Sequence, residues 1–373
     1  MITYFCDEEG IEPNAAEQLK LFQTMGLENI SVFPDIHYCS EKNLPVGVAF
    51  SVADKFYPLI TGKDLGCGVM YLKIKKEDYI LPFDKKKHYK AFDKASYEMT
   101  DDGLGGGNHF LSIEEGDDDH LYIICHTGSR NLGIELYQRF VKMIADFNHK
   151  EGIVDTFLPM ESLKEGLAKY YESVLDFATN RRKDFVIKTL AFLQQNGYVR
   201  STKKHKSDYL KGSLTLLPDE GEMNGVHYKI QDSIHNHLRF EEAVIHRKGS
   251  TELIKGQEVT IPLSMTRGSL IVKPGYDDYA LDLANHSCSH GAGRRLSRTD
   301  SLKHWNSGMK ESERKLYRKN FDELLDKSGD FPKGYIQEFD FAYKSSDDIL
   351  KSQPYLIKVA ATKPIATVKF TEI

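Results

Sequence analysis

The chain has 373 residues, of which 40% are hydrophobic and 28% charged, a balance typical of a globular protein and not of a disordered one. Its formal net charge of −5 means that any polyanionic partner must be bound by a local basic patch. Scattered cysteines without paired spacing, no signal-peptide pattern and no apolar run of about 18 residues together predict a cytoplasmic protein that does not contact a membrane.

Predicted helices and strands alternate along the whole chain. In the first helix, Leu19, Leu21 and Phe22 are expected on the buried face and Gly26 at the end. The mixture, without repeats or long linkers, predicts an α/β (mixed α+β) fold in one continuous domain over residues 1–373. Periodicity predicts helices over 15–26, 134–148, 161–195 and 311–329, strands flanking a glycine-rich loop within 46–76, two strands around the acidic turn at 116–119, and two or three short strands within 241–273.

Three short stretches combine metal-ligand residue types with glycine, and a fourth carries two histidines without a glycine. They are "GKDLGCG", "GLGGGNHF", "CHTGSRNLG" and "DSIHNH", and they contain Asp64, Cys67, Asn108, His109, His126, Arg130, His235 and Asn236. A lone histidine beside a strand is more often structural, but four such stretches in one chain favour a site. Five ligand residues suffice for two neighbouring metal ions that share one ligand. Thiolate and imidazole favour zinc, whereas the carboxylate and the amide move the preference towards manganese without deciding it.

The stretch "HSCSHGAGRRLSR", residues 286–298, has the composition of a phosphate site. His290 directly precedes Gly291, Ala292 and Gly293, whose backbone amides could form an anion-binding nest. Arg294 and Arg298 would share one face if a helix begins here. Imidazole nitrogen can attack phosphorus, so His290 is a candidate nucleophile. A metal ligand and a hydrogen bonder at a helix start are the alternatives that the spacing leaves open.

Nine motifs in order along the chain resemble the RtcB family of RNA ligases. They are "PDIH", "KDLGCG", "GLGGGNHF", "HTGSRNLG", "IHN", "HRKGS", "IPLSM", "SCSHGAGR" and "AYK". The resemblance implies a mixed α/β domain with a deep cleft. It also implies an enzyme that uses GTP and two Mn²⁺ ions to join an RNA 2′,3′-cyclic phosphate or 3′-phosphate end to a 5′-hydroxyl end. An activating protein partner belongs to the same expectation.

The resemblance also implies roles for individual residues. His290 would carry GMP, and Cys67 would bridge the two ions. Asp64 and His109 would complete the ligands of one ion, and His126 and His235 those of the other. The remaining matches would bind phosphates or nucleotide: Asn108, Asn236, Arg130, Arg294, Arg298, Ser269, Tyr343, Lys369 and the segment Gly291, Ala292, Gly293.

Two features depart from this pattern or stand outside it. The family usually has a guanine-contacting glutamate where this chain has Ser112, which predicts weaker rejection of ATP; Glu114 could substitute only if its strand bulges. The basic segment 199–206 is read as a solvated loop or, alternatively, as an RNA contact.

Two other functions stay open: an enzyme that caps 3′-phosphate ends but seals poorly, and a non-catalytic protein that binds RNA ends.

Overall fold

A computed structural model describes residues 1–25, 27, 29–39, 45–202 and 214–369 of the chain. Helices and strands are mixed along this part, as the sequence predicts. Its α-helices are α1 (Pro13–Thr24), α2 (Lys85–Glu98), α3 (Asn131–Glu151), α4 (Glu165–Gln195), α5 (Asp278–Leu283), α6 (Arg298–Lys303), α7 (Glu311–Asn320), α8 (Lys333–Ile336) and α9 (Ser346–Ser352).

The strands are mostly short, and the longest, of 14 residues, is the last one in the chain. They are β1 (Ile2–Tyr4), β2 (Ile30–His37), β3 (Val46–Val52), β4 (Lys55–Phe56), β5 (Gly68–Lys75), β6 (Phe110–Gly116), β7 (His120–Thr127), β8 (Leu158–Pro159), β9 (Glu220–Met223), β10 (Val226–Ile234), β11 (Asn236–Phe240), β12 (Val244–Lys248), β13 (Ser250–Glu252), β14 (Val259–Ser264), β15 (Gly268–Pro274), β16 (Ser287–Ser289) and β17 (Leu356–Lys369).

Two large sheets organise the fold. An eight-stranded antiparallel sheet has the order β14-β15-β17-β6-β7-β5-β10-β9, and a five-stranded sheet has the order β1-β2-β3-β12-β11 with β1 and β2 parallel. In the larger sheet, Gly68 of β5 lies opposite both Thr127 of β7 and Ile234 of β10. Because neighbouring strands are antiparallel, the first residue of β5 lies beside the last residues of β7 and β10, at one end of these three strands.

Helix α4 packs in two hydrophobic clusters, one along each half of its length. Its second half packs with α2 against one face of the eight-stranded sheet, where Leu111, Ile123 and Val368 are buried. Its first half packs with α1 and α3 beside the five-stranded sheet, around Phe50 and Phe56. The 31-residue helix thus passes through two hydrophobic clusters. Its middle turns lie close to the place where the ends of β5, β7 and β10 meet.

Most of the predicted elements are present, and four details of the prediction are corrected. The first helix buries Leu19 and Phe22, but Leu21 is 46% exposed. Residues 241–273 contain four strands instead of two or three, β12 to β15 up to Lys273. The charged helix predicted over 311–329 ends at Asn320. Strand β6, which carries Glu114, has no bulge of its own. Gly26, Lys203, Lys204 and Lys206 lie outside the described residues.

Within the described part of the chain, no helix combines the length and the hydrophobicity that crossing a membrane requires.

Candidate metal centre and active-site cleft

Three strand ends bring three metal-ligand side chains together. Cys67 directly precedes β5, His126 is the penultimate residue of β7, and His235 directly follows β10. The Sγ of Cys67 lies 3.3 Å from Nε2 of His126, which in turn lies 3.3 Å from Nε2 of His235. All three side chains are buried, so their donor atoms converge on one small space that could hold a metal ion.

A second group of ligands shares Cys67 with the first. Asp64, Cys67 and His109 also have their donor atoms close together. Nε2 of His109 lies 3.0 Å from Oδ2 of Asp64 and 3.4 Å from Sγ of Cys67. Gly105 permits this packing, since a Cβ there would collide with the His109 ring and approach Arg130 to 3.0 Å. Two ligand groups that meet at one sulfur match the pattern that the family resemblance implies.

The electrostatics of these ligands suit a cation. Burial, followed by the positive charges of nearby histidines, lowers the pKa of His126 and His235, so both rings are neutral and can donate a lone pair. Burial opposes ionisation of Asp64, but the hydrogen bond and charge of His109 lower its pKa to about 2. Burial and then Asp64 raise the pKa of the Cys67 thiol, so a bound cation would have to displace its proton. Thiolate, imidazole and carboxylate donors of this kind fit a divalent transition metal.

His290 lies next to this ligand cluster, with one ring nitrogen already committed. Its ring centroid is 4.6 Å from that of His235. Its Nδ1 lies 2.9 Å from the carbonyl oxygen of Gly249 and 3.0 Å from Oδ2 of Asp35. With a proton on Nδ1 donated to these oxygens, Nε2 carries the lone pair. His290 lines the cleft, so this arrangement provides a nucleophilic nitrogen of fixed tautomer.

The cleft beside His290 and His126 combines flat, apolar and charged surfaces. Phe110 and Tyr343 provide aromatic surface, while Glu338 and Lys369 provide charge. The Nζ of Lys369 lies 3.0 Å from Oε1 of Glu338, whose other oxygen accepts a hydrogen bond from the Tyr343 hydroxyl. Apolar walls with a few placed polar groups are typical of small-ligand sites, and this composition suits a planar heterocycle with polar edges.

Glu114 also lines the cleft, whereas Ser112 lies fully buried behind it. The Ser112 hydroxyl donates a 2.6 Å hydrogen bond to Oε1 of Glu114, and the Thr362 hydroxyl donates to Oε2. The strand β6 is in regular register with β7, and the irregularity lies in β17, between Pro364 and Ala366. The condition that β6 must bulge was therefore wrong, since Glu114 lines the cleft from a regular strand.

Several predicted phosphate-binding groups already have partners in the protein. The Arg294 guanidinium donates to the carbonyls of Leu296 and Gln337 and to the hydroxyls of Tyr343 and Ser301. It does not share a helix face with Arg298, because α6 begins only at Arg298, so that expectation was wrong. Arg294 thus stabilises the wall of the cleft, and contact with phosphate would require some of these bonds to break.

The other predicted contacts divide into two sets. The first set is already engaged within the protein: Asn236 accepts a hydrogen bond from the Gly249 amide, and Ser269 is fully buried behind Glu114. The Ala292 amide donates to the carbonyl oxygen of Pro262, so the expected nest lacks one of its amides. The second set is open to the cleft or lies near it. Asn108, Gly291 and Gly293 line the cleft, and the Arg130 guanidinium lies beside Gly105.

Comparison with known proteins shows the family of the chain. The sequence model of the family described as tRNA-splicing ligase RtcB matches residues 77–370. The chain belongs to the RtcB family. It is 25% identical over 408 residues to RNA-splicing ligase RtcB2 of Escherichia coli, covering 99% of this chain and 95% of the relative. It is 26% identical over 313 residues to tRNA-splicing ligase RtcB of Methanocaldococcus jannaschii, covering 71% of this chain and 29% of the relative.

Three residues of this RtcB-family site were not assigned roles from the sequence. Asp35 stands in the motif "PDIH", but nothing local links it to His290. Glu338 lies five residues before Tyr343 in a stretch without glycine or histidine. Arg182 occupies a core-facing position of α4, in register with the buried Tyr171, Val174 and Phe185. A charged residue in a periodic apolar pattern is the signal that could have identified it.

Proposed function

We propose that residues 1–373 form one RNA ligase domain that depends on GTP and Mn²⁺. It would join an RNA 3′-phosphate or 2′,3′-cyclic phosphate end to a 5′-hydroxyl end in RNA repair or tRNA splicing. Membership of the RtcB family supports ligation of RNA ends. The observation that carries the chemistry is His290, which is held by Asp35 and Gly249 through Nδ1 beside two ligand groups that share Cys67.

In the first stage His290 acts as the nucleophile. Asp35 and the Gly249 carbonyl hold the Nδ1 proton, so the Nε2 lone pair attacks the α-phosphorus of GTP. A nitrogen–phosphorus bond forms, the bond from this phosphorus to the β-phosphate oxygen breaks, and pyrophosphate leaves. Metal ions bound by the two ligand groups would stabilise charge on the phosphate oxygens. Phe110 and Tyr343 would orient the base against the cleft wall.

Two further transfers complete the reaction. Water first opens a cyclic phosphate, if one is present. An oxygen of the RNA 3′-phosphate then attacks the phosphorus on His290, which breaks the bond to Nε2 and leaves GMP on the RNA end. Finally the 5′-hydroxyl attacks the RNA phosphorus, a phosphodiester forms and GMP leaves. We assign Asn108, which lines the cleft, to the nucleotide phosphate, and Arg130, whose guanidinium lies beside Gly105, to the RNA or GTP phosphates.

A single assay with a labelled RNA strand tests this function. A 3′-phosphate strand is incubated with GTP and Mn²⁺, with and without a 5′-hydroxyl partner, and His290→Ala serves as the control. Sealed product that requires both His290 and the partner strand supports ligation. A strand that gains GMP but is not sealed indicates a capping enzyme, and a strand that is bound but unchanged indicates an RNA-end-binding protein. Repeated turnover without added protein would show that no activating partner is needed.

A further inference from the structure

The guanidinium of Arg182 contacts all three chain segments that carry the ligands Cys67, His126 and His235. Its Nη1 donates to the carbonyl oxygens of Gly66 at 2.8 Å and Thr127 at 2.9 Å. Its Nε and Nη2 donate to the two carboxylate oxygens of Asp232 at 2.7 Å and 2.6 Å. Gly66 directly precedes Cys67, Thr127 directly follows His126, and Asp232 lies on β10 three residues before His235.

We propose that the Arg182–Asp232 pair is a positioning device for the metal site, holding the three ligand-bearing strand ends at a fixed separation. The proposal rests on the proposed function in one respect, the binding of a metal ion by Cys67, His126 and His235. Neither residue of the pair touches that space itself. They act through the backbone on either side of the ligands, as groups that support metal ligands commonly do.

The geometry requires a guanidinium specifically. One planar group must supply parallel donors to a carboxylate on one edge and two donors to carbonyls on the other, which an ammonium group cannot do. The backbone makes room for it at Gly68, where a Cβ would lie 3.0 Å from Cζ of Arg182 and 2.6 Å from the Ser233 carbonyl. The Thr179 hydroxyl, one turn earlier on α4, donates to Asp232 and accepts from Nη2.

Stability alone is a poor explanation for this pair. Arg182 is 0% exposed and lies between the two hydrophobic clusters, at a position of α4 where the pattern calls for an apolar residue. Burying an ion pair costs desolvation energy that its attraction often does not recover, and apolar replacements are often neutral or stabilising. A buried pair that instead fixes the relative positions of three ligands has a function that an apolar side chain cannot perform.

The test measures metal binding directly, with Co²⁺ alone as the probe. Metal-free Arg182→Lys and Asp232→Asn are titrated with Co²⁺ by calorimetry and by absorption, which reports the thiolate-to-cobalt charge-transfer band of Cys67. We expect affinity to fall about 10- to 100-fold and the band to weaken or shift. Arg181→Lys is the matched control, because Arg181 is the adjacent buried arginine and its guanidinium instead contacts Gly103, Asp102 and the ring of Phe185.

The outcomes separate this inference from the proposed function. Wild-type affinity and spectrum in both variants would overturn the positioning role, and so would an equal loss in Arg181→Lys, which would show a general disturbance of the core. If the wild-type protein binds no Co²⁺, the metal site of the proposed function fails and this inference fails with it. If Arg182→Lys does not fold, Asp232→Asn carries the test, since it preserves shape and removes only charge and one acceptor.

Discussion

Asp35 and His290 are 255 residues apart in sequence, yet Oδ2 of one lies 3.0 Å from Nδ1 of the other. Burial opposes ionisation of Asp35, but the charge of His290 and the hydrogen bonds from His290 and His37 hold its pKa well below the usual value. Asp35 is therefore a carboxylate at neutral pH. It fixes the tautomer in which Nε2 of His290 is free to react, which is how a carboxylate prepares a histidine for catalysis.

Replacing Asp35 by asparagine should slow the attachment of GMP to the protein. The amide can donate to Nδ1 and so favour the tautomer with a proton on Nε2, which removes the attacking lone pair. Losses of about 10²- to 10⁴-fold are the expected scale for such a change. The rate of labelling by α-labelled GTP measures it. Asp282→Asn is the matched control, because Asp282 forms a 3.0 Å pair with His286 on the surface; labelling as slow in that variant as in Asp35→Asn would contradict the role given to Asp35.

Removing Cys67 should reduce labelling more than removing Asp64, because Cys67 belongs to both ligand groups and Asp64 to one. Cys67→Ala and Asp64→Ala are compared with Cys125→Ala, a buried cysteine next to His126 that packs in the apolar core. Mn²⁺ should support labelling better than Mg²⁺, which binds thiolate and imidazole weakly. Equal losses in the two ligand variants, or full labelling with Mg²⁺ alone, would refute the shared-ligand arrangement.

The choice between GTP and ATP should depend on Glu114. The serine at position 112 predicts weak discrimination, whereas the position of Glu114 in the cleft predicts that GTP is preferred. A carboxylate can accept hydrogen bonds from N1–H and the exocyclic amine of guanine, and charged hydrogen bonds contribute roughly 1.5–3 kcal/mol. Glu114→Gln should therefore reduce the GTP-to-ATP labelling ratio by about tenfold or more. Ser112→Ala should change the ratio less, since it removes one supporting bond; an unchanged ratio in Glu114→Gln would place base recognition elsewhere.

The candidate ligand residues named from the sequence lie together in the structure, and part of the reason is visible in the sequence. Asp64, Cys67, His109 and His126 lie within two residues of a glycine and beside predicted strands, and antiparallel neighbours bring the residues at their ends together. His235 has neither signal, since its stretch contains no glycine and the sequence predicts no strand that ends there. Asp35 and Arg182 could not be assigned in this way, because their roles depend on contacts across more than 40 residues of chain that only the folded structure defines.

For Arg294 and Ser112, the local sequence did not show the partners that the fold supplies. Arg294 follows a glycine turn, a pattern typical of anion sites, but four hydrogen bonds to protein groups occupy its guanidinium. Ser112 lies at the position where the family resemblance implies a guanine contact, yet it is fully buried and bonds to Glu114. Local sequence indicates which chemistry a residue can perform, and the packing around it decides whether that chemistry is available to a ligand.

The most direct test of the account is covalent labelling of His290. Purified protein is incubated with α-labelled GTP and Mn²⁺, and His290→Ala is compared with His286→Ala, an exposed histidine in the same stretch. We predict that the wild type and His286→Ala become labelled through a bond that acid breaks and base does not, while His290→Ala remains unlabelled and folded. Labelling of His290→Ala at the wild-type level would show that another residue is the nucleophile and would contradict the proposed mechanism.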